Sequence, residues 1–182
     1  MACFSKNKLL PVPTLGVFML ITVLSTLSIL SGCSRYSVSI NDNTVYSPPG
    51  IFTDFSLPDK NLQDCIDDTI ADEHLTKPEQ LVRLFCTNRA IYSLKGLEIF
   101  DGIQYLGLEN NKLTSIAELA SLPELEQVNL AGNPIVDAAP LLQLLQLSYV
   151  DFKNNQALDC SKLQLLLSKG VEVKLPDHCP LS

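Results

Sequence analysis

At 182 residues the chain carries 13 basic and 20 acidic side chains, a formal net charge of −7. That balance argues against a nucleic-acid binder, because phosphate contacts need a basic patch. No P-loop, GxSxG or HExxH string occurs, and there are only two histidines, His74 and His178, so the chain reads as a non-enzyme.

Residues 1–33 read as a targeting segment. Lys6 and Lys8 make a basic start, and residues 15–30 are an uncharged apolar run of 16, short of the roughly 20 a spanning helix needs. The run ends in Leu30-Ser31-Gly32-Cys33. This string resembles the bacterial lipobox. The resemblance implies a signal peptide over residues 1–32, cleaved before Cys33, and lipidation of the Cys33 thiol with three acyl chains; a single chain anchors only marginally. In Gram-negative lipoproteins an aspartate after the cysteine retains the protein at the inner membrane. Ser34 therefore implies a lipid-anchored outer-membrane location, on the periplasmic side or at the cell surface. Loss of Lys6 and Lys8 leaves 11 basic residues (13 less 2) against 20 acidic, a net charge of −9. Residues 33–51 are rich in turn formers and read as a lipidated tether; a short strand around residues 38–45 is compatible with this stretch but has no support in the pattern.

Residues 52–80 read as an N-terminal cap. Pro58-Asp59 signals a helix start. Leu62, Cys65, Ile66 and Ile70 fall on one helical face, with Asp64, Asp67, Asp68 and Asp72 mainly elsewhere. Thr76-x-x-Glu79 has the spacing of a capping box. The acidic run Asp67, Asp68, Asp72 and Glu73 lacks the glycine-containing loop of a calcium site and reads as a solvated helix face.

One pattern then recurs. Ile103, Leu106, Leu108, Asn111 and Leu113 are followed 22 residues later by Leu125, Val128, Leu130, Asn133 and Ile135. The same spacing yields Leu147, Val150, Phe152, Asn155 and Ala157, and a weaker upstream copy at Leu81, Leu84, Cys86, Arg89 and Ile91. The spacing continues through Ile116, Leu119 and Leu122, then Ala138, Leu141 and Leu144. This is the signature of a leucine-rich repeat. It resembles the 22-residue repeat of bacterial internalin-like proteins and of eukaryotic phosphatase-regulator proteins. With the lipobox, the chain resembles a bacterial leucine-rich-repeat lipoprotein. The implied fold is α/β: a short solenoid of about four repeats over residues 81–167, with a parallel sheet on its concave face, a helical N-terminal cap and a disulfide-closed C-terminal cap over residues 168–182. Alternate strand residues point inward, and no repeat buries that face alone, so neighbours stack. In this family the amides of Asn111, Asn133 and Asn155 would satisfy buried backbone groups of adjacent turns. Arg89 cannot do so, which marks an atypical first repeat.

Cys3 leaves with the signal peptide and Cys33 takes lipid. Four cysteines remain, and an even number in an exported domain points to disulfides. Of three possible pairings, Cys65–Cys86 and Cys160–Cys179 place one bond at each end of the solenoid. No CxxC occurs, and neither a metal nor a cofactor is expected. At the C-terminal end, Leu163, Leu166 and Leu167 fit a helical turn, Gly170 leads into an alternating strand over residues 171–175, and Pro176 stops it.

In this fold the outward strand residues form the concave surface: Arg83, Phe85 and Thr87; Tyr105, Gly107 and Glu109; Gln127, Asn129 and Ala131; Tyr149, Asp151 and Lys153. Aromatic residues on such a surface mark protein interfaces. Phe85, Tyr105, Glu109, Gln127, Asn129, Tyr149 and Asp151 are the candidate partner-binding residues, with Gly107 leaving a gap for a partner side chain. The expected function is binding of an envelope, secretion or host protein. The alternatives are a structural lipoprotein without a discrete site, or a surface-displayed adhesin.

Overall fold

The computed structural model describes residues 38–40, 43–46 and 50–179. The chain divides into two units, Met1–Pro48 and Pro49–Ser182. The targeting segment, Cys33 and Ser34 lie outside the described residues. Within the first unit, β1 (Val38–Ile40) and β2 (Asn43–Tyr46) pair antiparallel, with Ile40 opposite Asn43. The strand that the sequence left open around residues 38–45 is thus present, as two short paired strands. Val38, Ile40, Thr44 and Val45 favour strand as β-branched residues, and Asn41-Asp42 between them are turn formers. Each strand is too short for its period to stand out.

The second unit is the solenoid. Helix α1 (Lys60–Glu73) precedes β3 (Arg83–Phe85), β4 (Tyr105–Gly107), β5 (Gln127–Asn129), β6 (Tyr149–Asp151), α2 (Leu163–Ser168) and β7 (Glu172–Lys174). Strands β3 to β7 form one parallel sheet in sequence order. Leu84, Leu106, Val128 and Val150 lie side by side at 22-residue steps, and Val173 follows after 23. The first four of these central residues are buried, as are Leu81, Ile103, Leu125 and Leu147 before them and Cys86, Leu108, Leu130 and Phe152 after them. Each return passes through a short 3-10 turn, at Leu97–Ile99, Ala117–Ser121 and Ala139–Gln143. Those returns bury Ile116, Leu119, Leu122, Ala138, Leu141 and Leu144. The result is one continuous leucine-rich core.

A ladder of asparagines runs through it. The Nδ2 groups of Asn111, Asn133 and Asn155 donate to the carbonyls of Leu108, Leu130 and Phe152 in their own turns. They also donate to Cys86, Leu108 and Leu130 in the turns before, and all six bonds are 2.8–3.0 Å long. The Oδ1 atoms accept from the N–H groups of Ile91, Leu113 and Ile135. Each amide thereby satisfies backbone groups that burial would otherwise leave unpaired. Arg89, at the corresponding place in the first repeat, is exposed and pairs with Asp68 at 3.1 Å. The residue before each of these positions has a left-handed backbone: Asn88, Asn110, Gly132 and Asn154 have φ of 59°, 54°, 69° and 59°. Asn and Gly are the residues that tolerate this conformation, a second repeat signal that the leucine pattern overshadows.

Two expected positions shift. Ala157 is exposed, and Leu158 takes the buried place instead. An extra turn over residues 156–157 displaces the register by one, which matches the 23-residue step to β7. The predicted capping box at Thr76 and Glu79 is instead built by Gln80, whose Oε1 accepts from the Thr76 and Lys77 N–H groups at 2.8 and 3.1 Å. Pro78 at the turn's start places residue 80, not 79, under those donors.

Candidate functional site

The strands fix the concave side chains in rows, so each position meets its counterpart 22 residues away. Arg83, Tyr105, Gln127 and Tyr149 make one row; Phe85, Gly107, Asn129 and Asp151 make the next. Phe85 is 64 % exposed. Its ring leans over Gly107, where an added Cβ would come within 2.6 Å of its Cδ1. The expected gap at Gly107 is partly taken up by the molecule's own Phe85 ring. An open hollow lies beside that ring, lined by Phe85, Tyr105, Gly107, Glu109, Gln127, Asn129 and Tyr149. Of the candidate partner residues, only Asp151 is outside this lining; it lies next to it, with its Oδ2 3.5 Å from the Tyr149 hydroxyl.

The polar groups of the face are held in place by one another. Glu109 accepts from the Thr87 hydroxyl at 2.7 Å through Oε2 and from the Asn129 amide through Oε1. Asn129 Oδ1 in turn accepts from the Ala131 N–H at 3.1 Å. The Tyr105 hydroxyl donates to Glu126 at 3.2 Å, and the Arg83 guanidinium sits 5.4 Å from the Tyr105 ring centroid. Asp151 accepts from the Lys153 N–H at 2.8 Å. Burial, together with the nearby Asp151 carboxylate, pushes the Tyr149 phenol above its usual range.

The two histidines stand at opposite ends of the solenoid. His74 is the exposed C-cap of α1, and the His178 Nε2 lies 3.0 Å from the Leu158 carbonyl. Cys160 and Cys179 lie close to His178, but their sulfurs are joined to each other.

At the start of α1 sits a residue that the pattern undersold. Asp59 is fully buried. Its Oδ1 caps α1 by accepting from the Asn61 and Leu62 N–H groups, at 2.9 and 3.1 Å. Its Oδ2 accepts from the Tyr92 and Ser93 N–H groups, at 2.8 and 3.1 Å. One carboxylate thus ties the cap to the first repeat. Pro58-Asp59 announced the first half of this role; nothing local announces the second.

This arrangement defines a leucine-rich-repeat solenoid with an internalin-like fold. The model of the family "Leucine Rich repeats (2 copies)" matches residues 101–143. Internalin C2 of Listeria monocytogenes superimposes with a TM-score of 0.57 at 18 % identity, covering 66 % of this chain and 56 % of that one. The chain thus spans little more than half the length of that internalin. An internalin (InlF) of the same organism gives a TM-score of 0.47 at 21 % identity, over 64 % of this chain and 42 % of its own. The functional domain of InlJ, also from Listeria monocytogenes and described as including a cysteine ladder, gives 0.29 at 16 % identity, over 58 % and 37 %. No curated protein sequence matches the chain.

Proposed function

We propose that the chain is exported, lipidated on Cys33, anchored at the outer membrane, and binds another protein through its concave face. Phe85 carries this reading. A phenylalanine that is 64 % exposed, beside a hollow whose polar groups are already oriented, is costly to leave in water and suited to burial by a partner. The internalin-like fold supports protein binding, since a solenoid's curved sheet is an extended recognition surface. With five short strands the interface is small, which fits a transient partner. The leading basic, apolar and small-residue segments before Cys33 support export and acylation.

Two measurements test the reading. A photo-crosslinking residue in place of Gln127 on intact cells is expected to give one discrete adduct, lost when Phe85 is changed to Ala. An adduct indifferent to Phe85→Ala, or none at all, favours a structural lipoprotein without a discrete site. Metabolic labelling with a fatty acid should mark the wild type and not Cys33→Ala; labelling of both removes the anchor.

A further inference from the structure

The hollow on the concave face has a chemistry of its own. Tyr105 and Tyr149 occupy the same row on β4 and β6, with Gln127 of β5 between them. Strands lie about 4.8 Å apart, so the backbone positions that carry the two tyrosines are roughly 10 Å apart, with Gln127 on the strand between. A cationic group entering the hollow has an aromatic side chain on either side, the setting of a cation–π contact, which acts within about 6 Å of a ring centroid. Phe85 supplies a third ring to the same hollow.

The one charged side chain that lines the hollow, among the described residues, is acidic: Glu109. Glu126 accepts the Tyr105 hydroxyl, and Asp151 lies against the Tyr149 hydroxyl. Among the described residues no lysine or arginine lines it. Two cations nearby already have partners: Arg83 stacks on Tyr105 itself, and Lys174 pairs with Glu172 at 2.9 Å. An anion placed here meets three carboxylates. A plain aliphatic group leaves the Glu109 carboxylate beside apolar surface with no counter-charge, which costs free energy. A positive group on a slim stem satisfies both the rings and the acids.

We infer that this hollow receives a lysine or arginine side chain of the protein partner, held between the Tyr105 and Tyr149 rings and facing Glu109. The inference rests on the proposed reading that the concave face binds a protein. Arg83 over Tyr105 is the same contact made within the chain. The hydroxyl bonds to Glu126 and Asp151 draw electron density towards the rings and fix their orientation, so the site is formed before the partner arrives.

The test is an NMR titration of the full chain in detergent micelles with the blocked amides of lysine, arginine, norleucine and glutamate, and with tetramethylammonium. Lysine and arginine amides are expected to give saturable shifts at Tyr105, Gln127 and Tyr149. Norleucine and glutamate amides are expected to give none. Glu109→Gln and Tyr149→Leu should each weaken the lysine response by roughly threefold or more, with an unchanged melting temperature as the control for folding. A norleucine response equal to that of lysine overturns the inference in favour of a plain apolar pocket. A tetramethylammonium response exceeding both cationic amides overturns it in favour of a quaternary-ammonium ligand, and an absence of saturation overturns it outright. The Gln127 crosslink separates the levels: an adduct with a failed titration removes this inference alone, whereas a missing adduct removes the protein-binding reading beneath it.

Discussion

At the N-terminal end of the solenoid the disulfide and the Asp59 carboxylate that close the core are buried, and two half-buried rings pack against that core. Cys65 and Cys86 form a disulfide with 1 % and 0 % exposure, the Asp59 carboxylate accepts four backbone N–H groups, and Phe52, Phe55 and Phe100 pack ring against ring at 5.1–6.2 Å. At the C-terminal end the closure lies nearer the surface. Helix α2 has six residues, β7 has one half-buried side chain between two exposed ones, and the disulfide joins half-buried Cys160 to buried Cys179. The first end must cap a strand edge that begins the sheet, so it has a long amphipathic helix laid across it. The last strand can blunt its own edge with Glu172 and Lys174. A solenoid therefore needs a built wall where it starts and tolerates a lighter closure where it stops.

The interior gives the yardstick for this contrast. Asn133→Leu orphans the Leu113 N–H and removes one of the two amide bonds to each of the Leu108 and Leu130 carbonyls, which keep Asn111 and Asn155. A loss of about 4 kcal/mol is expected, roughly 2 for the orphan and about 1 for each lost bond. Urea unfolding reads it, and an unchanged midpoint would refute the ladder. The disulfides come next. Their loops are alike, 21 and 19 residues apart in sequence, so the chain-entropy model assigns each about 3 kcal/mol. The double change Cys65→Ala with Cys86→Ala should exceed that by about 1 kcal/mol for lost core packing, while Cys160→Ala with Cys179→Ala should not. Equal losses would break the comparison of the two ends. Reduction sharpens it further: alkylation after mild dithiothreitol should label Cys160 and Cys179 first, because only that bond has a solvent-reachable sulfur. Asp59→Ala removes a helix cap and two inter-element bonds, about 3 kcal/mol together; a loss near 1 would reduce Asp59 to a simple cap.

The smallest effect is at high pH. The Tyr149 phenol is raised in the folded chain, by burial first and then by Asp151. Its contribution is full below the unfolded phenol value of about 10 and is lost as pH rises through the higher folded value. Melting curves above about pH 10 should fall less steeply for Tyr149→Phe than for the wild type. Parallel curves would show that the phenol does not sense its surroundings.

Where the sequence repeats itself, it was readable. The 22-residue period located four strands and three ladder asparagines, because each inward residue answers to a local spacing rule. The disulfide pairs followed from which cysteines the caps bring near each strand. What escaped depends on contacts without a period. Asp59 reaches Tyr92 and Ser93, 33 and 34 residues away, and a carboxylate's second oxygen leaves no trace in its neighbours. Phe85 over Gly107 is a pairing across strands, so each residue looks ordinary alone. Leu158 displaced Ala157 because one added residue in a turn changes no composition. The concave row was legible as a surface; the way Glu109, Glu126 and Asp151 gather around two tyrosines was not.

The asparagine ladder has a consequence for how such a molecule changes size. Each amide bonds only its own turn and the one before it. A duplicate of residues 112–133 spliced in after Asn133 would meet, on both sides, the donors and acceptors it already has. Length is then a freely adjustable quantity, gained or lost in whole 22-residue units by unequal recombination, each unit advancing the sheet by about 4.8 Å. The two ends admit no such copying, since Asp59 and the Cys160–Cys179 bridge each recognise a single neighbour. A lineage of these chains is free to vary in the middle and is anchored at its margins.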